Sequence, residues 1–277
     1  MRVDTHQHFW RYDPVRDAWI DARMPVLQRD FLPEHVAPLL AATGIDAVVA
    51  VQADQSEAET DFLLALAAAH PVIRGVVGWT DLGAPDLAES LVRRRRDPRL
   101  KGFRHIAQAE PDDFLRRPDV IAGIAQLGAH DFTYDILIHA HQLPAATHLV
   151  ERCEGVRFVL DHCAKPPIAS GQLEQWQQDL AVLARHDNVS CKLSGLVTEA
   201  HWTRWTDAQV TACLDVAAEA FGAHRLMFGS DWPVCLLAAE YARVVQVVDD
   251  WMQRLTSRER AAICGDTAVA VYRLETE

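Results

Sequence analysis

The chain has 277 residues, of which 49% are hydrophobic and 24% charged, so it can bury a large core. Its net charge of −12 argues against nucleic-acid and anionic-membrane partners, because both bind basic surfaces. We find no apolar leader and no apolar run of membrane-spanning length, and we expect a soluble, cytoplasmic protein. Six scattered cysteines fit a reducing compartment; Cys163 and Cys191 are expected inside strands as small hydrophobes.

Eight short apolar segments recur along the chain, with Ala- and Leu-rich stretches of helical period between them. The segments begin at Val3, Ile45, Val72, Leu100, Thr133, Val156, Asn188 and Arg225. Strands that alternate with helices form a parallel sheet, and eight such units in roughly 250 residues predict a closed barrel. We therefore expect an α/β fold, a single (β/α)8 TIM barrel that forms one domain over residues 1–277.

A long segment separates the first predicted strand from the first helical pattern. It reads RYDPVRDAWIDARMPVLQRDFLP and covers residues 11–33. Loops that follow the strands of such barrels emerge at the catalytic face. We expect this segment to fold over the mouth of the barrel.

Polar or aromatic residues close nearly every predicted strand. In chain order they are His6 and His8, Gln52, Trp79, Arg104 and His105, His139 with His141 just beyond, Asp161 and His162, Lys192 and Ser194, and Asp231 with Trp232. Catalytic groups of this fold lie at the carboxyl ends of the strands, so one shared active site explains the whole set. Side chains alternate along a strand, which puts the two imidazoles of the first strand on the same face about 7 Å apart.

These motifs resemble the amidohydrolase superfamily, in which an H-x-H pair on the first strand accompanies an Asp after the last. The segments DTHQHFW, VQADQSEAETDFL, GFRHIAQ, DHCAKP, FGSDWPV and the closing YRL are similar to its sugar-lactonase branch, the L-fuconolactonase and L-rhamnonolactonase group. The similarity runs from His6 to about Leu274. The resemblance implies an amidohydrolase-type barrel that opens a sugar-acid lactone to the hydroxy acid.

Lactone opening needs an activated water, an electrophile at the carbonyl oxygen and a proton for the departing alkoxide. Asp231 is the predicted general base, because a carboxylate can take a proton from water and return it to the leaving oxygen. His6 and His8 either bind a divalent metal together with Asp231 or hydrogen-bond the carbonyl directly. His162 is expected to orient water or substrate.

At most one metal ion is expected. Two-metal members of the superfamily bridge their ions with a carboxylated lysine on the fourth strand, but here that strand ends Phe103, Arg104, His105. His139 or His141 would supply the third nitrogen ligand. Zinc is the first choice because His and Asp ligands suit it, and metal-independent catalysis stays open.

The remaining residues indicate how a sugar ring would be held. Arg104 is predicted to stabilise the oxyanion or the product carboxylate through its forked donors, and Lys192 to bind ring hydroxyls. Trp79 and Trp232, together with Trp10, offer apolar faces for the C–H side of the ring. The expected partner is a small sugar lactone, and a homodimer is compatible with the sequence.

Three alternatives stay open. One is a mononuclear-metal decarboxylase or amide hydrolase of the same superfamily. A metal-dependent nuclease is disfavoured by the acidic chain and by Arg104 on the fourth strand. A non-catalytic barrel that binds sugar acids is disfavoured by a carboxylate base beside a metal-type histidine pair.

Overall fold

The computed structural model describes residues 1–276, and eight parallel strands dominate it. The strands are β1 (Val3–Gln7), β2 (Ala47–Val51), β3 (Ile73–Gly78), β4 (Leu100–His105), β5 (Thr133–Ile136), β6 (Arg157–Leu160), β7 (Val189–Leu193) and β8 (Leu226–Phe228). Neighbours in the sheet follow chain order from β1 to β8. A parallel bridge between Gln7 and Trp232 closes the ring. The predicted (β/α)8 barrel is confirmed; the domain limits of 1–277 stay a prediction.

One helix follows each strand, and two short helices end the described chain. The helices are α1 (Pro33–Thr43), α2 (Glu57–Ala69), α3 (Leu87–Arg94), α4 (Pro118–Ala129), α5 (Leu143–Arg152), α6 (Glu174–Leu183), α7 (Asp207–Phe221), α8 (Tyr241–Met252), α9 (Ser257–Ala261) and α10 (Thr267–Tyr272). Their apolar faces pack on the barrel; α8, for example, buries Val244, Val248 and Trp251. Within residues 1–276, no helix has the length and apolar character needed to cross a membrane.

The two ends of the barrel differ in chemistry. At the amino ends of the strands, α10 and the residues after it fill the barrel floor, where Tyr272 and Leu274 pack with Val3, Val49 and Val159. At the carboxyl ends, polar and charged residues are buried instead. The floor is therefore an apolar plug, and the chemistry lies at the mouth.

β6 ends earlier than predicted because the backbone after it turns into the left-handed region. β6 ends at Leu160, and His162, Cys163, Ala164 and Lys165 then have φ values of 54°, 51°, 59° and 51°. Residues with a Cβ atom adopt this conformation only at an energetic cost, and it cannot continue a strand. The prediction that Cys163 lies in a strand is therefore wrong, whereas Cys191 does lie in β7.

Aromatic side chains fasten the loop of residues 11–33 at the barrel mouth, as predicted. Trp10 lies just before the loop and Phe31 lies near its end, and the two residues exchange a pair of backbone hydrogen bonds of 2.9 Å. The Phe31 ring meets those of Trp10 and Trp232 at centroid distances of 5.3 Å, and Trp19 packs edge-on against Trp10 at 5.9 Å. This contact holds Trp19 above the ends of the strands.

Gly102 on β4 offers a test of the close packing between strands. A Cβ atom there would lie 2.7 Å from the backbone oxygen of Thr133 on β5, so the two strands would have to move apart. We expect Gly102→Ala to cost about 1–3 kcal/mol and to lower the thermal midpoint by several degrees. Gly155→Ala is the control, because nothing lies within 4 Å of its added Cβ. Equal midpoints for the two variants would contradict this packing.

Candidate active site

Three predicted residues meet at the centre of the barrel mouth. The Nε2 atoms of His6 and His8 lie 3.1 Å apart, and Asp231 Oδ1 lies 3.8 Å from the first and 3.4 Å from the second. Alternation along β1 puts both histidines on one face. Backbone hydrogen bonds then bring Asp231 to them: Asp231 N donates to His6 O at 2.9 Å, and His8 N donates to Trp232 O at 2.7 Å.

Hydrogen bonds on the far side of each ring decide where the imidazole protons lie. His8 Nδ1 is 2.8 Å from the carbonyl oxygen of Val51, which can only accept, so His8 carries its proton on Nδ1. His6 Nδ1 is 3.3 Å from Asp161 Oδ1, a buried oxygen that the Lys192 ammonium also approaches, at 3.0 Å. Arg104 Nη1, which can only donate, lies 3.3 Å from His6 Nε2, so we infer that both Nε2 atoms are unprotonated and that their lone pairs face each other.

This donor set fits a divalent metal ion. Tetrahedral metal–nitrogen bonds of about 2.0–2.1 Å separate two nitrogen ligands by roughly 3.3 Å, close to the spacing of the two histidines. The ligand atoms of His6, His8 and Asp231 all lie within 4.8 Å of one another and are buried. His6, Asp161 and His162 form a second such group that shares His6. The geometry of the first group, His6, His8 and Asp231, accommodates one ion.

The structure does not bring the predicted third nitrogen ligand into this group. β5 ends at Ile136, and Gln142 Oε1 accepts a hydrogen bond of 3.0 Å from His139 N as the chain turns. His139 is half-buried and stacks on His141 with ring centroids 5.8 Å apart. His141 is exposed and pairs with Asp112. The assignment of His139 as a metal ligand is therefore revised.

Burial sets the protonation of the site. Burial lowers the pKa of His6 well below its ordinary value and that of His162 to about 4, so both rings are neutral at neutral pH. Burial alone would raise the pKa of Asp231, but the neighbouring His162, His8 and His6 outweigh it and hold this pKa below its ordinary value. Neutral imidazoles and an ionised carboxylate are the forms that bind metals.

Arg104 is held rigidly beside the histidines. Its Nη1 donates to Asp161 Oδ2 at 3.0 Å and lies 3.3 Å from His6 Nε2. Gln52 accepts from Nε and Nη2 through its side-chain oxygen, at 3.3 and 2.9 Å, and from Nη2 through its backbone oxygen. Gln52 was noted in the sequence only as a strand end; here it orients the guanidinium.

A cavity of about 340 Å³ opens above these residues. It is lined by His8, Trp19, Ala53, Gln55, Arg104, Ile106, Gln108, Ala109, Leu137, His162, Lys165, Asp231 and Val234. Its volume is in the range of small-molecule sites, and its lining combines apolar side chains with a few polar groups.

Some lining residues were missing from the predicted site. Lys165 belongs to the DHCAKP motif, and the left-handed turn after β6 brings it to the cavity, where its ammonium lies 3.5 Å from Glu199. Trp19 reaches the cavity from the long loop. The DHCAKP motif could have identified Lys165 from the sequence. For Trp19 the sequence offered no indication beyond its position in the long loop.

Three residues predicted to bind the sugar do not line this cavity. Lys192 is fully buried and pairs with Asp135 and Asp161 below His6. Trp232 is 2% exposed and packs on aromatic rings under the loop. Trp79 is half-buried, and its Nε1 lies 3.4 Å from His105 Nδ1. Their predicted contacts with substrate are revised.

A parallel (β/α)8 barrel with an H-x-H pair at the carboxyl end of its first strand and an Asp after its last defines a hydrolase of the amidohydrolase class. The family model described as Amidohydrolase matches residues 3–274, and the chain belongs to this family. It is 46% identical to an L-fucono-1,5-lactonase of Burkholderia multivorans, over 99% of this chain and 96% of that protein. It is 36% identical, with the same two coverages, to an L-fucono-1,5-lactonase of Burkholderia ambifaria.

A solved structure agrees closely with this fold. An amidohydrolase from Burkholderia multivorans with bound zinc is 46% identical, covers 99% of this chain and 100% of its own, and superposes with a TM-score of 0.96. The metal-type donor set of this chain and the zinc in that similar protein together support a site for a divalent metal.

The depressed pKa of His162 predicts how the metal-free protein responds to acid. Between pH 6.5 and about 4, the unfolded chain binds a proton at His162 that the folded chain does not. The free energy of unfolding therefore decreases as the pH is lowered through this window. The loss reaches at most about 3 kcal/mol. We expect His162→Gln to reduce the fall in thermal midpoint from pH 7 to 4.5, measured by calorimetry with a chelator present. The exposed His141→Gln is the control. If the thermal midpoint of His162→Gln decreases as much as that of the wild type, the result would contradict a buried, neutral His162.

Proposed function

We propose that this protein hydrolyses a sugar-acid lactone, with L-fucono-1,5-lactone as the first candidate substrate. One observation carries the proposal: the Asp231 carboxylate lies beside the Nε2 atoms of His6 and His8 and faces a cavity of small-molecule size. The two relatives named L-fucono-1,5-lactonase, at 46% and 36% identity, support the choice of lactone.

In this proposal Asp231 is the general base. Its carboxylate takes a proton as the water oxygen attacks the lactone carbonyl carbon. When the bond between that carbon and the ring oxygen breaks, the same group gives its proton to the ring oxygen, which leaves as a hydroxyl. Water is consumed, and the hydroxy acid is released. The depressed pKa of Asp231 keeps the base ionised before each turnover.

We propose that His6, His8 and Asp231 hold one divalent ion, with zinc as the first choice. When bound, such an ion supplies Lewis acidity at the carbonyl oxygen. Arg104 supplies a second, permanent positive charge on the same side. Because Asp161 and Gln52 already fix its guanidinium, Arg104 can stabilise a developing oxyanion without reorganisation.

His162 is proposed to orient the attacking water. Its Nε2 is 4.0 Å from Asp231 Oδ1, and its Nδ1 is tied to Ser194 Oγ at 2.8 Å. A gap of 4.0 Å is too long for a direct hydrogen bond but suits a shared water. For the ring hydroxyls we propose the polar lining residues Gln55, Gln108 and Lys165, and for the C–H face the ring of Trp19.

The remaining expectations keep the status of proposals. Cytoplasmic location is supported by six cysteines that are all free. The net charge of −12 supports the proposal that nucleic acids and anionic membranes are not partners. A homodimer stays a prediction.

The test combines a lactone panel with Asp231→Asn. We expect the wild-type enzyme to open L-fucono-1,5-lactone and Asp231→Asn to lose at least about 10²-fold in kcat, because Asn cannot accept a proton. Its thermal midpoint should stay near wild type, since Asn has nearly the same shape. The matched control is Asp112→Asn, an exposed carboxylate.

Two results would contradict the proposal. A purified Asp231→Asn variant that works within a few-fold of wild type would show that Asp231 is not the base. Thermal stabilisation by lactones without any product would instead indicate a protein that binds sugar acids and does not hydrolyse them.

A further inference from the structure

A row of buried charges crosses the barrel directly below His6. Lys192 Nζ donates to Asp135 Oδ2 at 2.6 Å and lies 3.0 Å from Asp161 Oδ1. The same ammonium is 3.3 Å from His6 Nδ1. These four side chains are fully buried. Lys192 and Asp135 take no part in the proposed chemistry, so their burial at this point needs another explanation.

The row continues to the floor of the barrel. Tyr272, the last residue of α10, donates its hydroxyl to Asp135 Oδ2 at 2.6 Å. Its ring lies under the ammonium of Lys192, with 5.4 Å between Nζ and the ring centroid. Tyr272 belongs to the closing YRL segment, so the end of the chain is connected to the active-site histidine through Asp135 and Lys192.

The charges of this row balance, which is what makes its burial tolerable. Two carboxylates, Asp135 and Asp161, face two cations, Lys192 and Arg104. Buried charges rarely stabilise a fold more than apolar packing would, so such a set is better explained by the orientation that it imposes. The imidazole ring of His6 lies between Lys192 and Asp161 of this set.

His6 Nδ1 has two neighbours at the same distance with opposite demands. Asp161 Oδ1, at 3.3 Å, requires a proton on Nδ1, and Lys192 Nζ, also at 3.3 Å, would donate to a bare Nδ1. Asp135 and Asp161 attract the protons of the ammonium, which leaves Asp161 to accept from His6. This outcome keeps Nε2 unprotonated and directed at His8 and Asp231.

We propose that Lys192, Asp135 and Tyr272 are positioning residues that fix the tautomer and the orientation of His6. Tyr272 and Asp135 act through Lys192, which contacts both His6 and Asp161, and none of the three touches substrate. The consequence for catalysis rests on the proposed function, but the tautomer of His6 and its affinity for a metal do not. The experiment therefore measures these two properties first.

The mild variant is Tyr272→Phe, which keeps the buried ring and removes only the hydroxyl. Zinc titration of the metal-free protein should show affinity reduced about 3- to 10-fold, and long-range ¹H–¹⁵N spectra should show His6 losing part of its Nδ1–H signature. Tyr241→Phe is the matched control: its buried hydroxyl also donates to a carboxylate, Asp4, at 3.1 Å, but Asp4 contacts the backbone and not the ring of His6.

The stronger variant is Asp135→Asn, which removes a carboxylate that draws the Lys192 ammonium away from His6 Nδ1 and leaves Asp161 paired with Arg104. We expect about 10- to 100-fold weaker zinc binding, the range found for partners of metal-bound histidines. For the best lactone, kcat should fall with little change in KM.

Wild-type zinc affinity and an unchanged His6 signature in folded Asp135→Asn would overturn the proposal. If Asp135→Asn does not fold, the same two results in Tyr272→Phe overturn it. A wild-type protein that opens no lactone would refute the proposed function alone, because the spectra and the titration would still report on His6.

Discussion

Two unprotonated imidazole nitrogens, 3.1 Å apart in a buried site, constrain everything else at the mouth of this barrel. Their lone pairs repel unless a cation or a hydrogen-bond donor lies next to them. The carbonyl of Val51 and the carboxylate of Asp161 enforce this arrangement from behind, by keeping each ring proton on Nδ1. The site therefore has affinity for positive charge, and Asp231 adds a negative charge to the same point.

The backbone around the two histidines adopts unfavourable conformations that bring further side chains towards them. His162 and Lys165 face the cavity because the chain follows β6 with a left-handed turn, and Asp231 itself has φ of 60°. Such conformations are unfavourable for residues with a Cβ atom and persist where the rest of the structure enforces them. Here the hydrogen bonds between β1 and the segment after β8 do so for Asp231, since its N–H is tied to His6.

The strand rule predicted much of the site from sequence, because alternation along β1 and the shared edge of parallel strands depend only on residue spacing. It found His6, His8, Arg104, His162 and Asp231. It failed where depth matters: Lys192 points into the barrel as alternation requires, but it lies below the mouth and bonds downward to Asp135. The left-handed turn that delivers Lys165 leaves no periodic signal. The register of the long loop, which covers Trp232 and exposes Trp19, depends on packing that the sequence pattern does not contain.

The most direct test of this account is neutron diffraction from metal-free, deuterium-exchanged crystals of the wild-type protein. The account predicts deuterium on Nδ1 of both His6 and His8 and none on either Nε2. Deuterium on Nε2 of either histidine would put a donor where the account requires a lone pair, and would contradict the arrangement from which the metal site and the role of Asp231 are argued.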